Sequence, residues 1–183
     1  MAFLNLPVIT NRKLKLGLVG CGRIALNHIN AIKELPDDLE LSAVCDLDPS
    51  AMLRPELPTN IERFDDIEAM ISNEDLDIVV LCTPSGLHAQ QTLIAARHKV
   101  NVITEKPMAT SYRDGIDMVK ACDAAKVRLF VVKQNRLNAT IRLLKRAIDQ
   151  RRFGDIKLVQ VNVYWTRPQE YYDAGSGWRG TWE

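Results

Sequence analysis

The chain has 183 residues, a net charge of +1, and hydrophobic and charged fractions of 46% and 26%. This balance excludes electrostatic capture of nucleic acid or of an acidic membrane surface, so we expect neither as a partner. The length suits one domain with some remainder and a core that needs no disulfide. The cysteines have neither paired nor metal-type spacing, which predicts reduced thiols, a cytoplasmic protein and no metal site: Cys21, Cys45, Cys82 and Cys122.

A glycine-rich turn between a predicted strand and a predicted helix is the most informative motif. Residues 16–25 read LGLVGCGRIA, which contains G-x-G-x-x-A. Gly20 permits a sharp turn, Gly22 lets the backbone approach a pyrophosphate, and Ala25 lets the helix pack close to the strand. The helix N-terminus then points free N–H groups at the phosphates. The motif predicts a dinucleotide site; the alternative is a glycine turn in another kind of α/β protein.

Apolar runs and helical stretches alternate through the first 133 residues. The predicted strands cover 15–19, 40–45, 60–64, 77–82, 100–104 and 128–133. The predicted helices cover 23–35, 67–71, 87–98 and 111–125, with a short helix over 49–53. Right-handed crossovers between successive strands indicate an α/β protein with a doubly wound parallel Rossmann sheet.

The pattern changes after Gln134. A long basic helix is predicted over 138–152, and residues 156–165 alternate apolar and polar side chains, as in a strand with one solvated face. We therefore predict an NAD-binding domain over 1–135 and, over 136–183, the start of an α+β substrate domain with 156–165 as its first strand. One strand cannot form a sheet, so the chain is expected to be a truncated piece of a longer protein.

Asp46 follows the second predicted strand. Its carboxylate can accept hydrogen bonds from both hydroxyls of an adenosine ribose. It would also repel a 2′-phosphate, by about 4 kcal/mol at ~4 Å and an effective dielectric of ~20. No arginine follows it directly, so this residue favours NAD over NADP. The alternative is an ordinary aspartate in the turn that leads to Pro49.

Two further segments follow predicted strands at the edge where open α/β sheets bind ligands. The first is Thr83-Pro84-Ser85-Gly86-Leu87-His88, and the second is Glu105-Lys106-Pro107. The Lys106 ammonium can polarise a hydroxyl or ketone oxygen, or move a proton. A structural histidine at His88 and a surface lysine held by Glu105 are the alternatives.

The ordered set GLVGCGRIALNH, VCDLD, CTPSGLH, VITEKPMA and RFGDIKLVQV resembles the Gfo/Idh/MocA family of NAD(P)-dependent sugar and cyclitol dehydrogenases over residues 14–183. The resemblance implies an N-terminal Rossmann domain, a C-terminal domain with a large antiparallel sheet, and homo-oligomers formed through that sheet. It assigns cofactor contacts to Gly20, Gly22, Arg23, Ile24, Asp46, Thr83, Pro84, His88, Glu105, Lys106 and Gln134. Lys106 is also the implied catalytic residue.

The segments KQNRLNATIRLLKRAI and VYWTRPQEYYDAGSGWRGTWE resemble a bacterial nucleotide-sugar branch of the family. Its enzymes oxidise the 3-hydroxyl of UDP-N-acetylglucosaminuronate in lipopolysaccharide and other surface-polysaccharide biosynthesis. This implies substrate contacts from Asn135, Arg167 and Arg179, with Tyr171, Tyr172 and Trp178 as stacking surfaces. The alternative for the aromatic residues is a packing role in the C-terminal domain.

The family's catalytic histidine is expected beyond Glu183. Two alternatives to the nucleotide-sugar activity therefore stay open. One is another sugar or inositol dehydrogenase of the family. The other, for the chain as printed, is a nucleotide-binding domain without catalysis.

Overall fold

The computed structural model describes residue 6, residues 8–174 and residues 177–180. The chain forms two compact units that divide between Val132 and Lys133. The first unit contains the whole sheet and the glycine-rich turn. The second contains α-helices and irregular segments.

All strands in the described residues pair in one parallel sheet, in the order β3-β2-β1-β4-β5-β6. The strands are β1 Leu14–Val19, β2 Leu39–Cys45, β3 Glu62–Phe64, β4 Ile78–Leu81, β5 Asn101–Thr104 and β6 Leu129–Val131. This is the strand order of a Rossmann fold, with the order reversing between β1 and β4. The six predicted strands and the doubly wound sheet are confirmed.

The helices of the first unit alternate with the strands along the chain. They are α1 Ala25–Glu34, α2 Ile67–Asn73, α3 His88–Arg97 and α4 Tyr112–Ala125, and a short 3₁₀ helix covers Pro49–Leu53. Side chains cap the N-termini of α2 and α4. The Asp66 side chain accepts a hydrogen bond from the Ala69 amide, and the Ser111 side chain accepts one from the Asp114 amide. Such caps satisfy backbone N–H groups that have no partner within the helix.

The sheet carries an apolar core on both faces, which explains the continuous apolar runs of its central strands. On one face Leu18, Ile29 and Val80 pack together, and on the other Met70, Leu81 and Val102 do so. All six are at most 1% exposed. The resulting rigid sheet places the turns after β1, β2, β4 and β5 along one edge.

The second unit contains α5 Ala139–Asp149 and the short α6 Gln169–Asp173. The predicted basic helix is present, ending three residues earlier than expected. The strand predicted over residues 156–165 is wrong for this structure: these residues are exposed and pair with no described residue. A strand is stable only beside another strand, and the described chain offers none to this segment.

Candidate functional site at the carboxyl edge of the sheet

The glycine-rich turn joins β1 to α1 and packs against the end of β4. Gly20 has a φ of +87°, and a Cβ there would lie 2.8 Å from backbone atoms of Cys82 and Thr83. Only glycine avoids both the contact and the strain of that conformation. A Cβ on Gly22 would meet no described atom within 4 Å. The turn therefore has one packed face and one face that a phosphate group can approach.

Helix α1 begins directly behind this turn with its N-terminus available to an anion. Its N-cap residue is Ile24, which provides no side-chain cap, and its first turn carries no acidic residue. In contrast, Asp66 and Ser111 cap α2 and α4. Uncapped N–H groups and the helix dipole together favour a negatively charged ligand. Arg23 is exposed beside them, and Ala25 is fully buried, as close packing of helix and strand requires.

Asp46 follows β2 and lies beside the glycine-rich turn. Its Oδ2 accepts a hydrogen bond from the Cys21 amide at 2.6 Å, and its Oδ1 accepts one from the Asp48 amide at 2.9 Å. A carboxylate offers about four acceptor positions, so both ribose hydroxyls can still bind it. The geometry fits the role predicted for this residue.

Arg54 is part of the same region and was not anticipated from the sequence. Its Nη1 donates to the carbonyl oxygens of Cys21 and Gly22, at 2.9 and 2.7 Å, and its Nε donates to Glu56 at 3.3 Å. An arginine is therefore close to the turn, although none follows Asp46 directly. Arg54 directly follows the 3₁₀ helix at Pro49–Leu53 as its C-cap residue. Arg54 binds carbonyl oxygens of the turn, whereas Asp46 binds the Cys21 amide.

The segment after β4 is held by a buried histidine. His88 is 1% exposed. Its Nε2 lies 3.0 Å from the carbonyl oxygen of Thr83, and its Nδ1 lies 2.8 Å from that of Pro107. A neutral imidazole carries one N–H and donates to one of these two carbonyls. His88 thus lies between the two predicted ligand loops with one ring nitrogen facing each, while its contact with a nicotinamide stays a prediction. Thr83 and Pro84 are half-buried at the surface of this edge.

The segment after β5 presents an exposed lysine beside a buried carboxylate. Glu105 is 7% exposed; His28 of α1 contacts its Oε1 at 2.9 Å, and the Lys106 amide donates to its Oε2 at 3.2 Å. Burial raises the pKa of Glu105, but the hydrogen bonds from His28 and Lys106 outweigh it and leave the pKa below its usual value. The carboxylate is therefore ionised at neutral pH, and the adjacent Lys106 is exposed to solvent.

The thiols behave as small apolar groups. Cys21, Cys45, Cys82 and Cys122 are free and buried. Burial raises the pKa of Cys21 and of Cys45 to about 12 and that of Cys122 to about 11. Such thiols are poor nucleophiles and poor metal ligands at neutral pH. The spacing of the cysteines predicted unpaired thiols, and all four are free in the structure.

The second unit brings two of the predicted substrate residues together. The Arg167 guanidinium lies 4.2 Å from the ring centre of Trp165 and 4.7 Å from that of Tyr171. The Arg179 guanidinium lies 5.1 Å from the same Tyr171 ring. Two cations thus share one aromatic side chain, an arrangement that can receive an anionic group. The Trp178 side chain lies outside the described part of the structure.

The remaining predicted residues, Gln134 and Asn135, are exposed in a short 3₁₀ helix, Gln134–Leu137, at the start of the second unit. Their contacts with cofactor and substrate stay predictions. Over the described residues, no group of His, Cys, Asp and Glu side chains is arranged to hold a metal ion. In the same residues, no helix is both long and apolar enough to cross a membrane.

Residues 14–133 match the family model of GFO_IDH_MocA, described as an oxidoreductase family with an NAD-binding Rossmann fold. The chain belongs to the Gfo/Idh/MocA oxidoreductase family. The match begins at β1 and ends just after β6, so it covers the whole sheet of the first unit. NAD is accordingly the cofactor class of this fold.

Two solved structures are similar to the chain over most of its length. The WlbA dehydrogenase of Chromobacterium violaceum, in complex with NADH and UDP-GlcNAcA, is 53% identical with a TM-score of 0.93, over 98% of this chain and 52% of that one. The WlbA dehydrogenase of Bordetella pertussis, with the same two ligands, is 54% identical with a TM-score of 0.89, over 93% and 52%. The chain thus spans about half the length of either enzyme.

A more distant relative within the family is the D-apiose dehydrogenase of Paraburkholderia graminis. It is 34% identical over 140 residues, which cover 76% of this chain and 37% of that protein. Both the identity and the share of this chain that is covered are lower than for the WlbA enzymes.

Proposed function

We propose that the whole protein is an NAD-dependent dehydrogenase that oxidises the 3-hydroxyl of UDP-N-acetylglucosaminuronate, in the biosynthesis of surface polysaccharides. The observation that carries this proposal is the similarity to two WlbA enzymes at 53% and 54% identity, each bound to NADH and UDP-GlcNAcA. That similarity covers both units of the chain. A homo-oligomer in the cytoplasm is the expected form of the enzyme.

Residues of the first unit are proposed to hold the pyrophosphate, the adenosine ribose and the nicotinamide half of NAD. The open face at Gly22 and the uncapped start of α1 suit the pyrophosphate, and Asp46 suits the adenosine ribose. Thr83, Pro84 and Glu105 lie farther along the same edge, where the nicotinamide half is expected. When bound, NAD⁺ supplies the acceptor for a hydride from the substrate.

Lys106 is the proposed catalytic residue. Oxidation of a secondary alcohol requires the hydroxyl proton to leave while the C–H bond gives up its hydride. As an ammonium at the hydroxyl oxygen, lysine stabilises the negative charge that develops there; as a neutral amine, it accepts the hydroxyl proton itself. Lys106 is exposed on the open side of the loop that Glu105 and His88 hold, which leaves it accessible to a substrate.

The second unit is proposed to begin the substrate domain. The nucleotide sugar carries a carboxylate and a diphosphate, and arginine pairs with both through parallel N–H bonds. Arg167 and Arg179, which meet at Tyr171, are proposed to bind one of these groups. Gln134 and Asn135 are proposed to contact the nicotinamide and the sugar.

A substrate panel tests the proposal. Formation of NADH is followed with UDP-GlcNAcA, UDP-GlcNAc, a free inositol and D-apiose as separate substrates for the purified protein. We expect UDP-GlcNAcA to be preferred and the Lys106→Ala variant to lose about 10²- to 10⁴-fold in kcat. A preference for D-apiose or inositol would support the other family activities instead. Binding of NAD without turnover of any substrate would support a nucleotide-binding role.

A further inference from the structure

His28 and Glu105 form a contact that the proposed chemistry has not used. The His28 Nε2 lies 2.9 Å from the Glu105 Oε1, and the two side chains are 17% and 9% exposed. They are 77 residues apart in sequence and come from α1 and from the loop after β5. A carboxylate so deeply buried needs hydrogen-bond partners, and removing one of them leaves a costly unpaired charge.

The contact joins the two functional parts of the first unit. His28 lies in the first turn of α1, the helix that begins at the glycine-rich turn. Glu105 precedes Lys106, and its second oxygen accepts the Lys106 amide at 3.2 Å. On the other side of Lys106, the carbonyl oxygen of Pro107 lies 2.8 Å from His88. The lysine loop is thus attached to α1 at one end and to α3 at the other.

We propose that His28 is a positioning residue for Lys106: by binding Glu105, it fixes the lysine loop to the helix that receives the cofactor pyrophosphate. The inference rests on the proposed function, because Lys106 is the residue whose position it sets. A misplacement of about 1 Å in a reacting group can cost about 10²-fold in rate, so a fixed loop matters to kcat.

The test compares His28→Leu, which removes the hydrogen bond, with His28→Gln, whose amide can still donate to Glu105. The matched control is His98→Leu, because His98 contacts Glu68 at 3.3 Å in a similar pair, with Glu68 52% exposed and away from the site. Three quantities are measured: kcat for UDP-GlcNAcA, the KM for NAD⁺, and the rate of amide hydrogen exchange at Lys106 in the protein without cofactor.

We expect His28→Leu to lower kcat about 10- to 100-fold with little change in the KM for NAD⁺, and to accelerate exchange at Lys106 about tenfold. His28→Gln should restore most of both, and His98→Leu should alter neither. Unchanged kcat and exchange in His28→Leu overturn the inference. A loss of kcat with unchanged exchange at Lys106 overturns it as well.

The proposed function and the positioning role fail in different ways. Full activity of Lys106→Ala would remove Lys106 from the chemistry, whereas an inactive Lys106→Ala beside a normal His28→Leu would overturn only the role of His28. If His28→Leu does not fold, Glu105→Gln replaces it. Lower kcat and faster Lys106 exchange in Glu105→Gln, with His28→Gln close to wild type, support the role. Wild-type values in both variants contradict it.

Discussion

Two glycine-to-alanine substitutions separate the folding role of the glycine-rich turn from its ligand role. In Gly20→Ala, the new Cβ lies 2.8 Å from the backbone of Cys82 and Thr83, at a φ of +87°. The left-handed conformation costs roughly 1–2 kcal/mol and overpacking against backbone roughly 1–3 kcal/mol. We therefore expect the free energy of unfolding to fall by about 2–5 kcal/mol, with a melting temperature on the order of 10 °C lower.

Gly22→Ala is the matched variant, because its Cβ would meet no described atom within 4 Å. Its melting temperature should stay close to that of the wild type. Its methyl group would occupy space needed by the pyrophosphate, so calorimetric titration should show NADH binding at least about tenfold weaker, a loss of ~1.4 kcal/mol. Wild-type affinity for NADH in a folded Gly22→Ala variant would refute the phosphate role of this turn.

Three further predictions concern charge and pH. Asp46→Ala should weaken NADH binding and reduce the difference between the affinities for NADH and NADPH. Equal affinities of the wild type for the two cofactors would contradict the role of Asp46 in binding the ribose. Hydrogen bonds from Arg12 lower the pKa of Asp77 below its usual value of 3.8. The ionised Asp77 therefore stabilises the folded protein above that pH, and this contribution is lost as the pH falls further. Acid unfolding of Asp77→Asn should accordingly depend less on pH between about 5 and 3, and an unchanged slope would contradict this. Burial raises the pKa of Cys45 from 9.0 to about 12. The contribution of this protonated thiol to the stability of the folded protein is therefore complete below pH 9.0 and is lost as the pH rises towards 12. Urea titrations at about pH 8 and 10.5 give the free energy of unfolding at each pH. Its decrease between the two pH values should be smaller in Cys45→Ala than in the wild type, and equal decreases would contradict the role given to this thiol.

The sheet was predictable because its central strands are continuous apolar runs between helical stretches. DIVVLC predicted β4 to within one residue at each end, and the glycine motif placed the turn after β1. The contacts of Arg54 and His28 were not predictable, because they join residues 33 and 77 positions apart through the folded sheet. The prediction of a strand over 156–165 was wrong because alternating apolar and polar side chains indicate one solvated face of a sheet but do not provide the partner strand that a sheet needs.

The most direct measurement follows the hydrogen at C3 of the sugar. UDP-N-acetylglucosaminuronate carrying deuterium at C3 is incubated with the protein and NAD⁺, and the reduced cofactor is analysed by mass spectrometry. The proposed reaction predicts that deuterium moves to the nicotinamide, at a rate lowered about 10²- to 10⁴-fold in Lys106→Ala. Reduced cofactor without deuterium, or no reduction with this substrate while another sugar is oxidised, would contradict the proposed activity.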